Sequence, residues 1–255
     1  MRSAVYGPVS SWRLGESLGI DLLSTQKKTC SFDCVYCQLG KTREPLVERR
    51  EFVSIEELKI ALEKIAGIRI DFATFSGRGE PTLASNLGEA IELARDMLHS
   101  PIAVLTNSSL MTRAEVRQAL ALADVVVAKI DAPNEVLFRQ INRPYGSCTL
   151  DQVVRALHSF RKDFSGKLAL QMMFMAENLG SAAEMANSAK TLSPDEIQIN
   201  TPLRPCPVRP LAPGEIANIR SQFMGLNNVV TVYEAERPDV IPLDLKATLR
   251  RRPKL

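Results

Sequence analysis

The 255-residue sequence predicts an α/β protein built as a partial (βα)6 parallel barrel. Three observations lead there. Short apolar runs alternate with amphipathic stretches of about a dozen residues, the pattern of parallel βα units. The helical stretches open on a repeated cap signature, in which Ser, Thr or Asn stands three residues before Glu or Gln. Crossovers between parallel strands are almost always right-handed, so six successive units curl into an open barrel rather than a closed eight-fold one.

Taken in order, Tyr6–Val9 through Arg13–Gly15 reads as turns and a short strand, and Leu18–Leu23 as the first barrel strand. Further strands are predicted at Ile70–Phe75, Ile102–Thr106, Val125–Ile130, Leu168–Met175 and Ile197–Asn200. Capping-box spacing marks helix starts at Ser54 with Glu57, Asn86 with Glu89, Thr112 with Glu115, Thr149 with Gln152, and Ser181 with Glu184. Val53 with Leu58, Met111 with Val116, and Cys148 with Val153 have hydrophobic-staple spacing, which gives Cys148 a packing role. Pro213 suits the first turn of a sixth helix. Met172, Met173 and Met175 read as core filler. A single domain is expected over 1–255, with a barrel core at about 15–226. An edge strand at Val229–Ala235 and a basic tail complete it over 227–255.

Composition narrows the class. Hydrophobic content of 45% and charged content of 24% are those of a globular protein. A net charge of +3 is too small to argue for nucleic acid, and two histidines, His99 and His158, exclude a histidine-rich metal site. The N-terminal residues lack the apolar core of a secretory signal. The longest apolar stretch, Ala119–Ala128, is interrupted by Asp124 and too short to span a bilayer. Five cysteines, three of them clustered, do not form a disulfide framework. A reduced, cytoplasmic protein without membrane attachment is expected.

The cluster is Cys30, Cys34 and Cys37, spaced C-x3-C-x2-C. Three thiolates this close can converge on one centre, and soft thiolate selects zinc or an iron–sulfur cluster. Structural zinc takes four ligands, commonly as two spaced pairs, and a second pair is missing. A cubane held by three cysteines leaves one iron open, which suits catalysis. The competing arrangements are a zinc knuckle, or a ferredoxin-like cluster completed by Cys148 or Cys206.

Strand ends are where chemistry gathers in parallel βα folds. Ser76-Gly77-Arg78-Gly79-Glu80-Pro81-Thr82 follows the second strand: its glycines permit close backbone approach, and Glu80 offers a carboxylate to a ligand ammonium or to solvent. Thr106-Asn107-Ser108-Ser109 follows the third, with groups suited to ribose hydroxyls or to a polar turn. Lys129 and Asp131 close the fourth. Arg143 then has two readings, pairing with Asp131 or a substrate anion, or forming a surface ion pair. Gln171 lies within the fifth strand; Asn200 and Thr201 end the sixth.

The cysteine spacing, with Tyr36 as the aromatic before the last cysteine, resembles the radical S-adenosylmethionine (radical SAM) superfamily. GPV-x-S-x-x-RLG-x-SLGI, TCSFDCVYCQLG, SGRGEPTL, TNSSL, INRPYG and NTPLRP extend the resemblance over nearly the whole chain. They are similar to a subfamily described as related to wyosine-forming tRNA enzymes. The resemblance implies a barrel of the radical SAM type, with Cys30, Cys34 and Cys37 on a [4Fe–4S] cluster and S-adenosylmethionine on the open iron. Reductive cleavage would then give a 5′-deoxyadenosyl radical that abstracts hydrogen from substrate. It further implies cofactor binding by Tyr36, Gly77, Gly79, Glu80, Asn107 and Ser108, and an electron donor of flavodoxin or ferredoxin type. Lys129, Asp131 and Arg143 remain the candidates for catalysis. The substrate is open: a small molecule, tRNA, or a partner protein activated as by a glycyl-radical activase. A non-enzymatic iron–sulfur or zinc protein is the alternative class. The tRNA enzymes carry further cysteines upstream of their radical motif, and here none precedes Cys30. From Arg237 onward six basic residues face two acidic ones, and the segment is expected to be a solvated tail. Glu80 and Asn107 are expected to hold cofactor rather than the fold.

Overall fold

Val5–Ser11 (β1) and Gly15–Ile20 (β2) form an antiparallel hairpin in the computed structural model, which describes residues 3–253. The segment expected as turns and a short strand is thus a seven-residue edge strand. Gly7 and Pro8 conceal it in the sequence. They fall at a register shift between the Tyr6–Gly19 and Val9–Ser17 pairs, where an irregular strand tolerates them.

Six parallel strands follow: Phe72–Phe75 (β3), Ile102–Thr106 (β4), Val125–Lys129 (β5), Lys167–Met173 (β6), Glu196–Asn200 (β7) and Val229–Thr231 (β8). The sheet runs β1-β2-β3-β4-β5-β6-β7-β8, so each strand pairs with its sequence neighbour. With helices on its outer face this is the curled, mostly parallel half-barrel that the sequence predicts, β2 to β7 being the six expected strands. β3 starts later than expected because Asp71 is drawn to the hairpin: its amide donates to Glu16 O at 2.9 Å and its carboxylate accepts from Glu16 N at 2.7 Å.

Side chains alternate between two layers, as strand geometry dictates. Ile102, Val104, Val126, Ala128, Leu168 and Leu170 pack outward into the main core with the helices. Ala103, Val125, Val127 and Ala169 form a separate interior cluster with Leu14, whose hairpin turn plugs the curve of the sheet. Met172 joins the outer core, while Met173 and Met175 pack beside Tyr36.

The helices are α1 (Ile55–Glu63), α2 (Leu87–Leu98), α3 (Ala114–Leu120), α4 (Glu135–Ile141), α5 (Leu150–Asp163), α6 (Ala182–Leu192), α7 (Pro213–Ser221) and α8 (Leu245–Arg251). Ser54 and Thr149 make full capping boxes with Glu57 and Gln152. The other three boxes do not form. Asn86 turns its amide to Val53 O at 2.9 Å, Thr112 closes a short 3-10 turn ahead of α3, and Ser181 makes no side-chain cap bond.

The segment expected as a solvated tail is the largest correction. Asp244 caps α8, whose Ala247 packs with Tyr6 and Val9 of β1. Gly7 N donates to Thr248 Oγ1 at 3.1 Å, and Leu243 N to Gly7 O at 2.7 Å. The helix therefore covers the outer edge of β1, which would otherwise offer unpaired backbone groups.

Candidate active site

β2 and β3 lie side by side, with Ile20 opposite Phe75, so the loops leaving them run together above the sheet. Thr29 N donates to Arg78 O at 3.0 Å, and a Cβ on Gly79 would fall 1.6 Å from the Thr29 carbonyl oxygen. A Cβ on Gly77 would lie 2.2 Å from the Asp21 carboxylate carbon. The space these two glycines free is filled by protein, so both serve the close approach of one loop to the other.

The cysteine loop is fixed from its other side by the segment after α4. Phe32 is fully buried and meets Phe138 edge-on, with ring centres 5.4 Å apart. Val35 N donates to Ile141 O at 2.9 Å, Asp33 N to the Asn142 and Arg143 carbonyls at 3.1 Å, and Tyr145 N to Ser31 O at 2.9 Å. Arg143, with a left-handed φ of 48°, contributes its backbone here, and its side chain is exposed. Asp131 pairs with Lys129 at 3.6 Å rather than with Arg143.

Asp131 is a buried hub. Its Oδ2 accepts from Tyr36 Oη in a short hydrogen bond and from Asn142 Nδ2 at 2.7 Å; its Oδ1 accepts from Met173 N at 2.9 Å. Lys129 Nζ sits 4.4 Å from the Tyr36 ring centre. Burial first, then the Asp131 carboxylate, holds the Tyr36 phenol well above its usual range. Tyr36 is thereby locked behind Cys37 with its hydroxyl committed to protein.

Cys30 is buried, Cys34 and Cys37 are half-buried, and two of the three sulfurs meet amide donors. Asn107 Nδ2 lies 3.6 Å from Cys30 Sγ, and Asn142 Nδ2 lies 3.6 Å from Cys34 Sγ. Burial pushes the Cys30 thiol up to about 12 and also raises Cys34. Burial alone would lower the ammonium of buried Lys28, yet Cys37, Cys30 and Cys34 together raise it. Cys148 instead packs against the outer core, as its staple position predicts, and Cys206 donates to Val208 O at 3.2 Å beside the Tyr36 cluster.

Glu80 is 2% exposed, committed to the protein rather than to solvent. Its Oε1 accepts from Thr82 N at 3.2 Å, Thr82 Oγ1 at 2.7 Å and Thr106 Oγ1 at 2.7 Å; its Oε2 accepts from Asn107 N at 2.7 Å. Burial raises its pKa, and these four donors oppose the rise. Asn107 also gives Nδ2 to Ser31 Oγ at 3.0 Å and takes Ser109 N on Oδ1 at 2.9 Å, so its side chain clamps the cysteine loop. Ser108 is buried at a left-handed φ of 68°, and its Oγ accepts from Lys129 N at 3.0 Å.

Inside the curve of the sheet lies a cavity of about 350 Å3 that reaches Tyr36 and Cys37 on one side and Arg13 on another. That volume falls within the roughly 300–1,000 Å3 usual for small-molecule sites.

The model of the "Radical SAM superfamily" matches residues 27–189, which contain the cysteine loop, Glu80, Asn107 and Asp131. A UPF0026 protein of Methanocaldococcus jannaschii is 38% identical over 232 residues, covering 88% of this chain and 71% of its own length. The chain belongs to the Radical SAM superfamily. The fold agrees: SuiB of Streptococcus suis bound to S-adenosylmethionine superposes with a TM-score of 0.63 at 11% identity over 80% of this chain. A second structure, anSMEcpe with bound AdoMet, gives 0.64 at 19% identity over 85%. This chain spans 48% of SuiB and 64% of anSMEcpe.

A radical SAM enzyme takes a [4Fe–4S] cluster and S-adenosylmethionine as cofactors, and the residues present fit both. Three clustered sulfurs, of which burial makes Cys30 and Cys34 costly as free thiolates, have two amide donors and a buried lysine ready for bound anionic sulfur. Among the described residues the donors that favour the ionised form of Glu80 against burial are all neutral. Among the described residues, no helix is long and apolar enough to cross a membrane. Sequence reasoning missed the anchoring roles of Asn142 and Lys28. It also missed the arginines of the interior cavity, because they come together only in the folded chain.

Proposed function

We propose that this radical SAM enzyme abstracts hydrogen from a small substrate held inside the half-barrel. The observation that supports this most is the interior cavity, closed below by the hairpin turn and bounded above by Tyr36 and Cys37. Cys30, Cys34 and Cys37 would hold the cluster, whose chemistry, when bound and reduced, would be the one-electron cleavage of S-adenosylmethionine. Glu80 Oε2, which accepts one protein hydrogen bond, keeps acceptor capacity for the cofactor's ammonium group. Asn107 and Asn142 donate toward sulfur, and Asp131 and Lys129 fix Tyr36 behind the cluster loop. A one-electron donor of flavodoxin or ferredoxin type supplies the reductant.

A wyosine-type tRNA activity draws less support. Arg251 of the basic segment is turned inward, and the cavity is on the scale of a small molecule. The test is anaerobic reconstitution followed by dithionite and S-adenosylmethionine. Release of 5′-deoxyadenosine and methionine is expected, with cluster iron lost in Cys30→Ala, Cys34→Ala and Cys37→Ala but kept in Cys148→Ala and Cys206→Ala. A folded, fully loaded protein that releases neither product overturns the reading, as does cluster loss confined to the last two variants.

A further inference from the structure

The interior cavity carries a charge pattern that the cofactor does not account for. Arg13, Arg204, Arg237 and Arg252 line it, and among the described residues no aspartate or glutamate does. They arrive from the hairpin turn, the loop after β7, the segment after β8 and the end of α8. Among the described residues none of the four has an ion-pair partner. Arg204 Nη1 donates to Pro253 O at 2.9 Å and Arg237 Nη2 to Val232 O at 3.5 Å, both backbone carbonyls. Arg13 Nε is enclosed and unbonded.

These cations act on one another. Burial, then Arg252, Arg204 and Arg237, lowers Arg13 to about 9; burial, then Arg252 and Arg237, lowers Arg204 to about 10. The acid that opposes the shift at Arg13 is Glu196, which is already paired with Lys167 at 2.6 Å. Gathering unpaired like charges costs folding energy, and at a cleft it marks a ligand that offsets the cost. A second observation points the same way. Gln171 of β6 is 5% exposed, lines this cavity, and leaves its Nε2 without an acceptor. S-adenosylmethionine does not match such a lining. Its sulfonium and ammonium outweigh its one carboxylate, so the whole molecule is a cation.

The geometry points to a substrate-anion site, in which these arginines and Gln171 hold a phosphoryl or diphosphoryl group of a small substrate whose carbon frame extends toward Tyr36 and Cys37. Guanidinium forks match the paired oxygens of such groups. The inference rests on reading the cavity as the place where substrate meets the radical. It deepens that reading by naming the substrate class.

The test is calorimetric titration of the reconstituted protein with inorganic diphosphate, in buffer free of phosphate and sulfate. S-Adenosylmethionine and citrate are titrated separately. One diphosphate per chain is expected. Its affinity should fall at least tenfold in the Arg237→Gln/Arg252→Gln double variant, which alters an exposed and a half-buried residue and should melt as the parent does. S-Adenosylmethionine affinity should stay within twofold. Absence of diphosphate binding, or equal binding by the double variant, overturns the proposal. Citrate binding more tightly than diphosphate overturns the phosphoryl assignment. Loss of S-adenosylmethionine affinity in the double variant would show that the arginines serve the cofactor. If arginine-dependent diphosphate binding persists while the wild-type protein fails to bind S-adenosylmethionine, the anion site stands and the proposed function falls.

Discussion

Two buried carboxylates stand after β2 and β3, Asp21 and Glu80, and they are satisfied in opposite ways. Asp21, 2% exposed, accepts from Arg251 Nε at 2.7 Å, and that guanidinium is itself fixed by Ser3 O and Ala247 O. Glu80, equally buried, is surrounded by hydroxyl and amide donors only. A buried ion pair is complete in itself and ties distant segments together, here the start of the chain to its last helix. A carboxylate held by neutral dipoles keeps a net negative charge, which a cationic ligand group can satisfy. The first arrangement is structural. The second holds the fold and, among the described residues, leaves the carboxylate without a cationic partner.

Separating the two roles gives graded outcomes. Arg251→Ala leaves Asp21 buried and unpaired, and should cost about 3–5 kcal/mol in denaturant unfolding. A cost below about 1 kcal/mol would show that α8 is not held by this pair. Glu80→Gln keeps the size of the side chain and removes its charge. Isothermal titration should show S-adenosylmethionine binding weakened by roughly 1–3 kcal/mol, the scale of a lost charged hydrogen bond. Its unfolding free energy should fall by less than that of Arg251→Ala. If Glu80→Gln binds the cofactor normally, the net charge at this position has no ligand role. A smaller effect separates formed caps from unformed ones: Ser54→Ala should cost about 0.5–2 kcal/mol, and Ser181→Ala nothing measurable. Arg250, which is exposed, belongs with Ser181 at the small end. Arg250→Ala should leave stability within about 0.5 kcal/mol.

Three consecutive arginines thus do three things: Arg250 faces solvent, Arg251 closes an internal ion pair, and Arg252 lines the cavity. Composition could not separate them, because what differs is the partner each meets from elsewhere in the chain. The cysteine motif was legible for the opposite reason, its chemistry being contained in eight successive residues. The barrel strands were legible from alternation, and Ile102–Thr106 falls where the pattern puts it. β1 was not, since Gly7 and Pro8 look like turn residues until their register shift is seen. Asp244 was not, because its cap on Ala247 N at 2.8 Å lacks the returning Glu or Gln that completes a capping box. Glu80 and Asn107 were read as cofactor residues and were expected to leave the fold untouched. Their hydrogen bonds to Thr82, Thr106, Ser31 and Ser109 show that they also join the loops that form the site.

The central claim is that the cysteine loop and Glu80 form one cofactor site. Electron paramagnetic resonance of the dithionite-reduced protein, with and without S-adenosylmethionine, tests it most directly. The wild-type cluster signal should shift when the cofactor is added, and Glu80→Gln should need a higher cofactor concentration for the same shift. A fully loaded wild-type cluster whose spectrum ignores saturating S-adenosylmethionine would contradict the account.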